Sequence, residues 1–422
     1  MYQKTTLSNG LRIIAHPMRN MQSIALGIWI NVGGRYESHE FKGISHYLEH
    51  LLFKGSKKYS CRKIKESLEG VGGSLNGFTS EELTCYLVKI PARHLDLALN
   101  IISDMAVNPL LLQEEIDKER TVILEEIKMY KDLPQSYVHE LLDELLWPNQ
   151  PLGMSIAGTP ESVGRINRQD LALYQKHYYT PLNMVVSVCG KFNYRDFRKK
   201  VEHIFYGLDG KTRNVFVGVK EEQSSPQLKI FTKDTEQTHL ALGFHGLMRD
   251  HPLRHALGIL HIILGANMSS RLFNEVREKR GLAYEIATLV KRFQDTGAFL
   301  VHAGIDNRKT SDAVAVILKE LADIKHSLVA IDEFKRAKEF YLGQLMLSLE
   351  DTLEHMLWIG ESTATLNRTH TLKEIIREVA QLRREDIREA ARRIFKNNNL
   401  NLALIGPIKD SQDKLYSLLE LK

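Results

Sequence analysis

The chain has 422 residues, of which 43% are hydrophobic, and this length suffices for two or three domains with large buried cores. Its formal net charge of +5 comes from charges of both signs spread along the chain, so no concentrated basic patch argues for nucleic-acid binding. The sequence contains no run of apolar residues long enough for a transmembrane helix, and its first ten residues lack the apolar core of a secretory signal.

The first half of the chain predicts alternating strands and helices. Asn9-Gly10 between two apolar runs is a hairpin signal. Ser60 is suited to cap the helix that follows it, and Pro109 cannot continue the helix that precedes it. Strands are predicted over residues 4–7, 11–16, 23–32, 74–78, 84–90 and 183–190. Helices are predicted within residues 43–53 and over residues 61–69, 95–107, 114–131 and 168–178.

The first of these helices carries the pattern His-x-x-Glu-His, formed by His46, Glu49 and His50. Each helical residue advances about 100°, so the two histidines share one face, one turn apart, with the glutamate beside them. Two such imidazoles can chelate one metal ion, and the carboxylate can take a proton from a metal-bound water. Ser45 is a candidate cap for this helix. The alternative is a buried helix whose histidines are hydrogen-bonded core residues.

The helix predicted over residues 114–131 is rich in acidic side chains. A solvated acidic face is the simple interpretation, but Ile116 and Ile123 indicate that the helix packs against a neighbour. Glu119 and Glu126 are seven residues apart, which is two turns, and therefore lie on the same face. This arrangement suits one carboxylate that binds a metal and a second that supports it.

Three segments together resemble the pitrilysin-type (M16) zinc peptidases, in the short-subunit branch that includes the mitochondrial processing peptidase and its bacterial relatives. The matching segments are residues 43–55, 75–80 and 119–126. In that family the third zinc ligand is a glutamate about 76 residues after the second histidine, which Glu126 matches. Glu119 matches the supporting glutamate. The resemblance implies one Zn²⁺ per chain, held by His46, His50 and Glu126, with Glu49 as the catalytic base.

The second half of the chain repeats the first at an offset of 216 residues, which indicates a duplication. The corresponding pairs are Asp170 and Asp386, Asn183 and Asn399, and Gly190 and Gly406. Residues 262–266, at the place of the histidine pattern, are Ile-Ile-Leu-Gly-Ala, so the repeat is expected to lack the metal site. Strands are predicted over residues 227–233, 238–245 and 399–406. Helices are predicted over residues 253–264, 312–327, 330–349 and 352–364, and from residue 384.

Four residues are expected to bind substrate. Asn76 and Phe78 lie on a predicted strand that can pair with an extended peptide backbone, a mode that reads shape more than sequence. Arg277 and Tyr284 match an arginine–tyrosine pair that helps to bind substrate in two-half relatives. A surface arginine and a strand tyrosine are the simpler alternative for that pair.

The predicted fold is α+β, with two homologous domains that are each an antiparallel-rich sheet packed by helices. The zinc-binding catalytic domain is placed at residues 1–207, the linker at 208–226, and the inactive domain, which contributes substrate contacts, at 227–422. The expected function is a zinc-dependent endopeptidase that hydrolyses unfolded peptides or small proteins inside a closed chamber, with a Glu49-activated, zinc-bound water as nucleophile. The alternatives are a non-catalytic scaffold or partner subunit of a peptidase complex, and a presequence-processing subunit.

The expected partners are a peptide substrate and a second identical chain. Longer relatives enclose one chamber with four such domains, and this chain has two, so the resemblance implies a homodimer with shared active sites. Cys61, Cys85 and Cys189 are odd in number and lack metal-site spacing, which is typical of free thiols in a reducing compartment. The expected location is the bacterial-type cytoplasm, or an organellar matrix if a transit peptide has been removed. Neither nucleic acid nor a membrane is expected as a partner.

Overall fold

A computed structural model describes residues 2–210 and 214–422 of the chain. These residues form two compact units, and each unit combines segments from both halves of the sequence. The first unit consists of Met1–Lys128, Met154–Val217 and Met346–Thr371. The second unit consists of Met129–Gly153, Gly218–Leu345 and Leu372–Lys422. The prediction had one continuous range for each domain, and residues 211–213 of its linker lie outside the described residues.

The strands and helices follow in chain order. The strands are β1 (Gln3–Thr6), β2 (Arg12–Pro17), β3 (Ser23–Ile30), β4 (Ser74–Thr79), β5 (Thr84–Pro91), β6 (Met184–Gly190), β7 (Gln227–Thr232), β8 (Gln237–His245), β9 (Ala283–Arg292), β10 (Gly297–Asp306) and β11 (Asn401–Gly406). The helices are α1 (Ile44–Leu52), α2 (Cys61–Glu69), α3 (Leu95–Val107), α4 (Gln113–Asp132), α5 (Pro134–Leu146), α6 (Pro160–Arg165), α7 (Arg168–Tyr178), α8 (Tyr194–Ile204), α9 (Arg254–Gly265), α10 (Thr310–His326), α11 (Ile331–Ser348), α12 (Thr352–Leu366), α13 (Leu372–Gln381), α14 (Arg384–Ile394) and α15 (Gln412–Ser417). None of the described helices combines the length and the apolar character that a membrane crossing requires.

The first unit is built on a six-stranded sheet in the order β1-β2-β6-β3-β5-β4. Strands β2 and β6 are parallel, and the other neighbouring pairs are antiparallel. Strand β3 is apolar on both faces because both faces are covered. Its residues Ile24 and Ile28 point into a core shared with α1 and α3, whereas Trp29 packs against Met356 of α12. The edge position of β4 leaves one side of that strand without a described partner strand.

The second unit repeats this design with a five-stranded sheet in the order β7-β11-β8-β10-β9. Its parallel pair β7–β11 corresponds to β2–β6, and its other neighbouring pairs are antiparallel. Helix α14 follows α7 at the predicted offset of 216 residues at both of its ends. The predicted fold class of two homologous α+β domains is therefore confirmed.

One helix from each half completes the unit formed mainly by the other half. Helix α5 belongs to the second unit, where Leu142 packs so closely on β8 that a side chain at Gly243 would meet it at 2.9 Å. Helix α12 belongs to the first unit, where a side chain at Gly360 would meet Trp29 at 2.1 Å. This exchange is why the units are discontinuous. Local sequence patterns carry no signal for it, because an amphipathic helix shows only that one face is buried and not which sheet covers that face.

Several elements were not predicted from the sequence. Helices α5, α8 and α13 and the antiparallel pair β9–β10 are absent from the predicted set. Strand β9 lies at the edge of its sheet, and Tyr284 and Leu289 are 73% and 44% exposed, so it lacks the regular alternation of a half-buried strand.

Candidate metal centre

Helix α1 carries three of the predicted site residues, and a buried glutamate holds its first turn. Gly43 precedes the helix with φ of 95°, a conformation that favours glycine. The carboxylate of Glu37 accepts the backbone N–H groups of Gly43 and Ser45 at 2.9 and 2.8 Å. The prediction that Ser45 caps the helix is wrong, because Ser45 already lies within it and its hydroxyl is hydrogen-bonded to that of Tyr174. A carboxylate from the preceding loop supplies the acceptor instead, and its charge suits a helix N-terminus.

His46, His50 and Glu126 come together in the first unit, and one ligand atom of each lies within 4.8 Å of the others. Nε2 of His46 and Nε2 of His50 each lie 3.7 Å from Oε2 of Glu126. Burial, and then the neighbouring His50, lowers the pKa of His46 to about 4, so this imidazole keeps a lone pair at neutral pH. Nδ1 of His46 is buried and has no hydrogen-bond partner among the described residues. Two imidazoles and one carboxylate around a common point fit a Zn²⁺ ion.

The structure separates Glu126 from its neighbour Glu125. The Glu125 side chain is 65% exposed and pairs with Lys128 at 2.7 Å on the outer face of α4. The Glu126 side chain is 22% exposed and faces the two histidines. Adjacent helix positions point about 100° apart, so only one of the two glutamates can reach the ligand group.

Glu119 lies behind His50, two helical turns before Glu126 on the same face of α4. Its Oε2 is 3.1 Å from Nδ1 of His50, and its Oε1 is 2.5 Å from Nζ of Lys54. A carboxylate at Nδ1 holds the imidazole in the tautomer and orientation that leave Nε2 available toward Glu126. Lys54 was not predicted as a site residue. It lies four residues after His50, within the matched segment, and that spacing is the signal that could have indicated it.

Glu49 is 8% exposed and lies between α1 and the edge strand β4. Its Oε2 accepts a hydrogen bond of 2.8 Å from the hydroxyl of Thr79, and burial raises the pKa of its carboxyl group. A side chain at Gly77 would come within 2.9 Å of the Phe53 ring and 3.2 Å of Oε1 of Glu49. Glycine therefore allows the strand to approach the helix. Thr79 was missed because no spacing rule connects it to Glu49, 30 residues earlier in the chain.

The structure places Asn76 and Phe78 on the same edge strand, two residues apart. Asn76 is exposed, and its side-chain oxygen accepts the backbone N–H of Gly77 at 2.9 Å. Phe78 is 37% exposed and its ring meets that of Trp29 edge-on at 5.8 Å. Both residues thus lie on the strand that holds Thr79.

Arg277 and Tyr284 belong to the second unit, where the structure brings them together. Arg277 lies in a π-helical segment, Phe273–Glu278, and Tyr284 lies near the start of β9. The guanidinium lies 5.3 Å from the centroid of the Tyr284 ring and 4.8 Å from that of Phe273. The arginine is therefore in cation–π contact with Tyr284, whose side chain is also exposed.

Comparison with known proteins adds sequence and structural relatives. The family profile described as insulinase (peptidase family M16) matches residues 12–160, and that of the peptidase M16 inactive domain matches residues 165–341. The chain is 37% identical to the "uncharacterized zinc protease YmxG" of Bacillus subtilis, over 96% of this chain and 98% of that protein. It is 34% identical to an "uncharacterized zinc protease" of Streptomyces coelicolor, over 97% of this chain and 90% of that protein.

Two solved structures share the fold. A protease from Helicobacter pylori superposes with a TM-score of 0.90 at 23% identity, over 96% of this chain and 99% of that chain. A structure described as a peptidase M16 inactive domain, from Pseudomonas fluorescens, superposes with a TM-score of 0.89 at 18% identity, over 98% of this chain and 99% of that chain. The profile matches and the sequence relatives confirm the family predicted from the motifs, and this chain belongs to peptidase family M16.

Proposed function

We propose that the protein is a zinc-dependent endopeptidase that cleaves peptides bound in an extended conformation. The observation that carries the proposal is the ligand group of His46, His50 and Glu126, whose donor atoms lie within 4.8 Å of one another. Glu49 directly precedes His50 on α1, and both His50 and Glu126 act electrostatically on its carboxyl group. Relatives named as zinc proteases support both the metal and the reaction. Within the described ranges, no second group of three such side chains meets at comparable distances, which supports one zinc ion per chain.

The residues around the ligand group divide the chemistry among them. When bound, zinc would polarise the scissile carbonyl and make water a stronger acid. Glu49 would accept the proton of the attacking water and return it to the leaving amine. Thr79 holds one oxygen of Glu49 through its hydroxyl, and Glu119 orients the imidazole of His50. Both proton transfers would therefore use Glu49, which Thr79 holds in position.

The edge strand β4 supports an extended substrate. Its unpaired side offers backbone N–H and C=O groups that can add a peptide as a further strand. Because Thr79 at the end of this strand holds Glu49, a peptide paired along it would run past the catalytic carboxylate. Backbone pairing requires an unfolded segment, so we propose unfolded peptides or small unfolded proteins as substrates.

The closed chamber, the homodimer with shared sites and the cytoplasmic location stay predictions from the sequence.

Two pairs of variants test the proposal. Glu49→Gln should retain zinc and lose cleavage of a quenched unfolded peptide, because an amide cannot accept the proton. Glu126→Gln should lose zinc, whereas the matched control Glu125→Gln should keep both zinc and activity. Zinc content is measured by mass spectrometry of the metal. A wild-type protein without zinc and without cleavage would instead support the scaffold function, and more than a few per cent activity in Glu49→Gln would exclude Glu49 as the base.

A further inference from the structure

The loop at residues 33–37, which includes the 3₁₀ turn Gly34–Tyr36, contacts two elements that carry residues of the candidate site: the start of α1 and the turn after β4. On one side, Glu37 is 4% exposed and accepts the N–H groups of Gly43 and Ser45 at the start of α1. Lys42 lies 3.5 Å from the same carboxylate and donates to the carbonyl of Gly34 at 2.7 Å. The loop is therefore tied to the first turn of the helix that carries His46 one residue later.

On the other side, the loop is tied to the turn that follows β4. The N–H of Gly34 donates to the carbonyl of Ser80 at 3.1 Å, and the N–H of Arg35 donates to that of Glu81 at 2.9 Å. A side chain at Gly33 would lie 2.1 Å from the Ser80 carbonyl oxygen, so glycine is required for this approach. Ser80 directly follows Thr79, the partner of Glu49. One loop thus positions both the helix of the ligands and the strand that holds the catalytic carboxylate.

Arg35 connects this loop to the chain segment that leads into the second unit. Arg35 is 2% exposed and donates to Oε1 of Glu82 at 2.6 Å. Its guanidinium lies 3.7 Å from the centroid of the Phe216 ring, and that ring also meets Tyr36 edge-on at 5.6 Å. Asn214 fastens the same segment, since its amide donates to the carbonyl of Asn31 at 2.7 Å. The aromatic ring covers one face of a buried cation.

The neighbours of Phe216 make its role specific. Val215 and Val217 are 87% and 76% exposed, so among residues 215–217 the phenylalanine is the side chain that turns inward. We call residues 214–217 the connector, because the second unit begins at Gly218. Because the valines on both sides are exposed, Phe216 fixes the connector at one point and does not belong to a hydrophobic core.

We propose that Phe216 is a positioning residue for the zinc site, and that it acts on α1 through Arg35 and Glu37. This inference rests on the proposed function. If the ring is removed, water reaches the guanidinium and its hold on the Glu82 carboxylate weakens. The loop at residues 33–37 then becomes more mobile, and so do the start of α1 and the turn at Ser80. The ligand geometry at His46 loosens although no ligand is changed.

The experiment compares Phe216→Ala with three further variants. Val215→Ala is the matched control from the same connector, and Phe216→Tyr keeps a ring over the guanidinium. Arg35→Lys keeps the charge beside Glu82 but lacks the planar group that stacks on the ring. Zinc affinity is measured by competition with a chromogenic chelator, and amide hydrogen exchange is measured in the zinc-free protein.

We expect Phe216→Ala and Arg35→Lys each to weaken zinc binding by roughly tenfold, at the lower end of the effect of residues that support metal ligands. Exchange should accelerate at residues 43–47 and 80–83 and stay unchanged in β3 and β6. The double variant should be no weaker than either single variant, because the two changes break one contact. Val215→Ala and Phe216→Tyr should match the wild type in both measurements.

The other outcomes of these measurements also decide whether Phe216 positions the zinc site. If Phe216→Ala matches Val215→Ala in zinc affinity and exchange while the wild type binds zinc, the positioning role is overturned. If Phe216→Ala does not fold, Arg35→Lys decides alone, since wild-type exchange at residues 43–47 in that variant overturns the role and local acceleration supports it. If the wild type itself binds no zinc, the proposed function fails. The exchange comparison then still tests the contact between connector and loop, because it needs no metal.

Discussion

Replacing Glu119 by glutamine should weaken zinc binding while all three ligands remain in place. The Glu119 side chain is 7% exposed, and its two oxygens contact Nδ1 of His50 at 3.1 Å and Nζ of Lys54 at 2.5 Å. Glutamine has nearly the same shape and its amide oxygen can still accept one hydrogen bond. It has no charge, however, so it supports the imidazole less strongly and leaves the Lys54 ammonium uncompensated beside a cation site.

The magnitude follows from these contacts. A hydrogen bond to a charged group contributes about 1.5–3 kcal/mol and one between neutral groups about 1 kcal/mol, so the exchange removes roughly 0.5–2 kcal/mol. The Lys54 side chain is 27% exposed, and solvent therefore screens part of its charge. We expect the zinc dissociation constant to rise about 2- to 30-fold. This range overlaps the lower part of that observed when partners of metal ligands are replaced.

The assay is competition with a chelator at fixed pH and ionic strength. Glu125→Gln is the control on the same helix, and it should leave zinc affinity unchanged because its side chain points outward and pairs with Lys128. Adding Lys54→Met to Glu119→Gln should restore part of the affinity, since it removes the uncompensated cation. A Glu119→Gln protein with zinc affinity within twofold of the wild type would refute the assignment of Glu119 as the support of His50.

Three further predictions concern other parts of the molecule. Gly77→Ala should lower kcat by about tenfold with zinc content unchanged, because the added methyl group would meet the Phe53 ring and Glu49. An unchanged kcat would contradict the close approach of β4 to α1. Burial lowers the pKa of His261 from 6.5 to about 4, so the unfolded state binds a proton that the folded state does not, and stability should fall on acidification from about pH 6.5 to about pH 4. His261→Gln should flatten that part of the unfolding curve by up to ~1.4 kcal/mol per pH unit, and identical curves would show that this histidine does not contribute. If two chains share each active site, mixing inactive Glu49→Gln chains with inactive Arg277→Ala chains should restore activity. After random subunit exchange, half the dimers are mixed and each of these has one intact site of two, so about a quarter of wild-type activity should return. No recovery despite proven exchange would exclude shared sites.

The sequence by itself predicted the candidate ligands, His46 and His50 from the helical pattern and Glu126 from the family resemblance. The helical period places His46 and His50 on one face, and the seven-residue spacing does the same for Glu119 and Glu126. These are local relations within single helices, so they do not depend on how the helices pack. The 216-residue repeat likewise predicted the duplicated fold, because α7 and α14 keep the same local sequence design.

Only the tertiary structure decided which distant residues support that site. Thr79 lies 30 residues from Glu49, and Glu82 lies 47 residues from Arg35, the buried cation of the loop at residues 33–37. Its charges are buried because the fold supplies their partners, and a partner distant in sequence leaves no local pattern. The exchange of α5 and α12 between units was hidden for the same reason. An apolar helix face shows that the face is buried, but which sheet buries it depends on the packing of the whole chain.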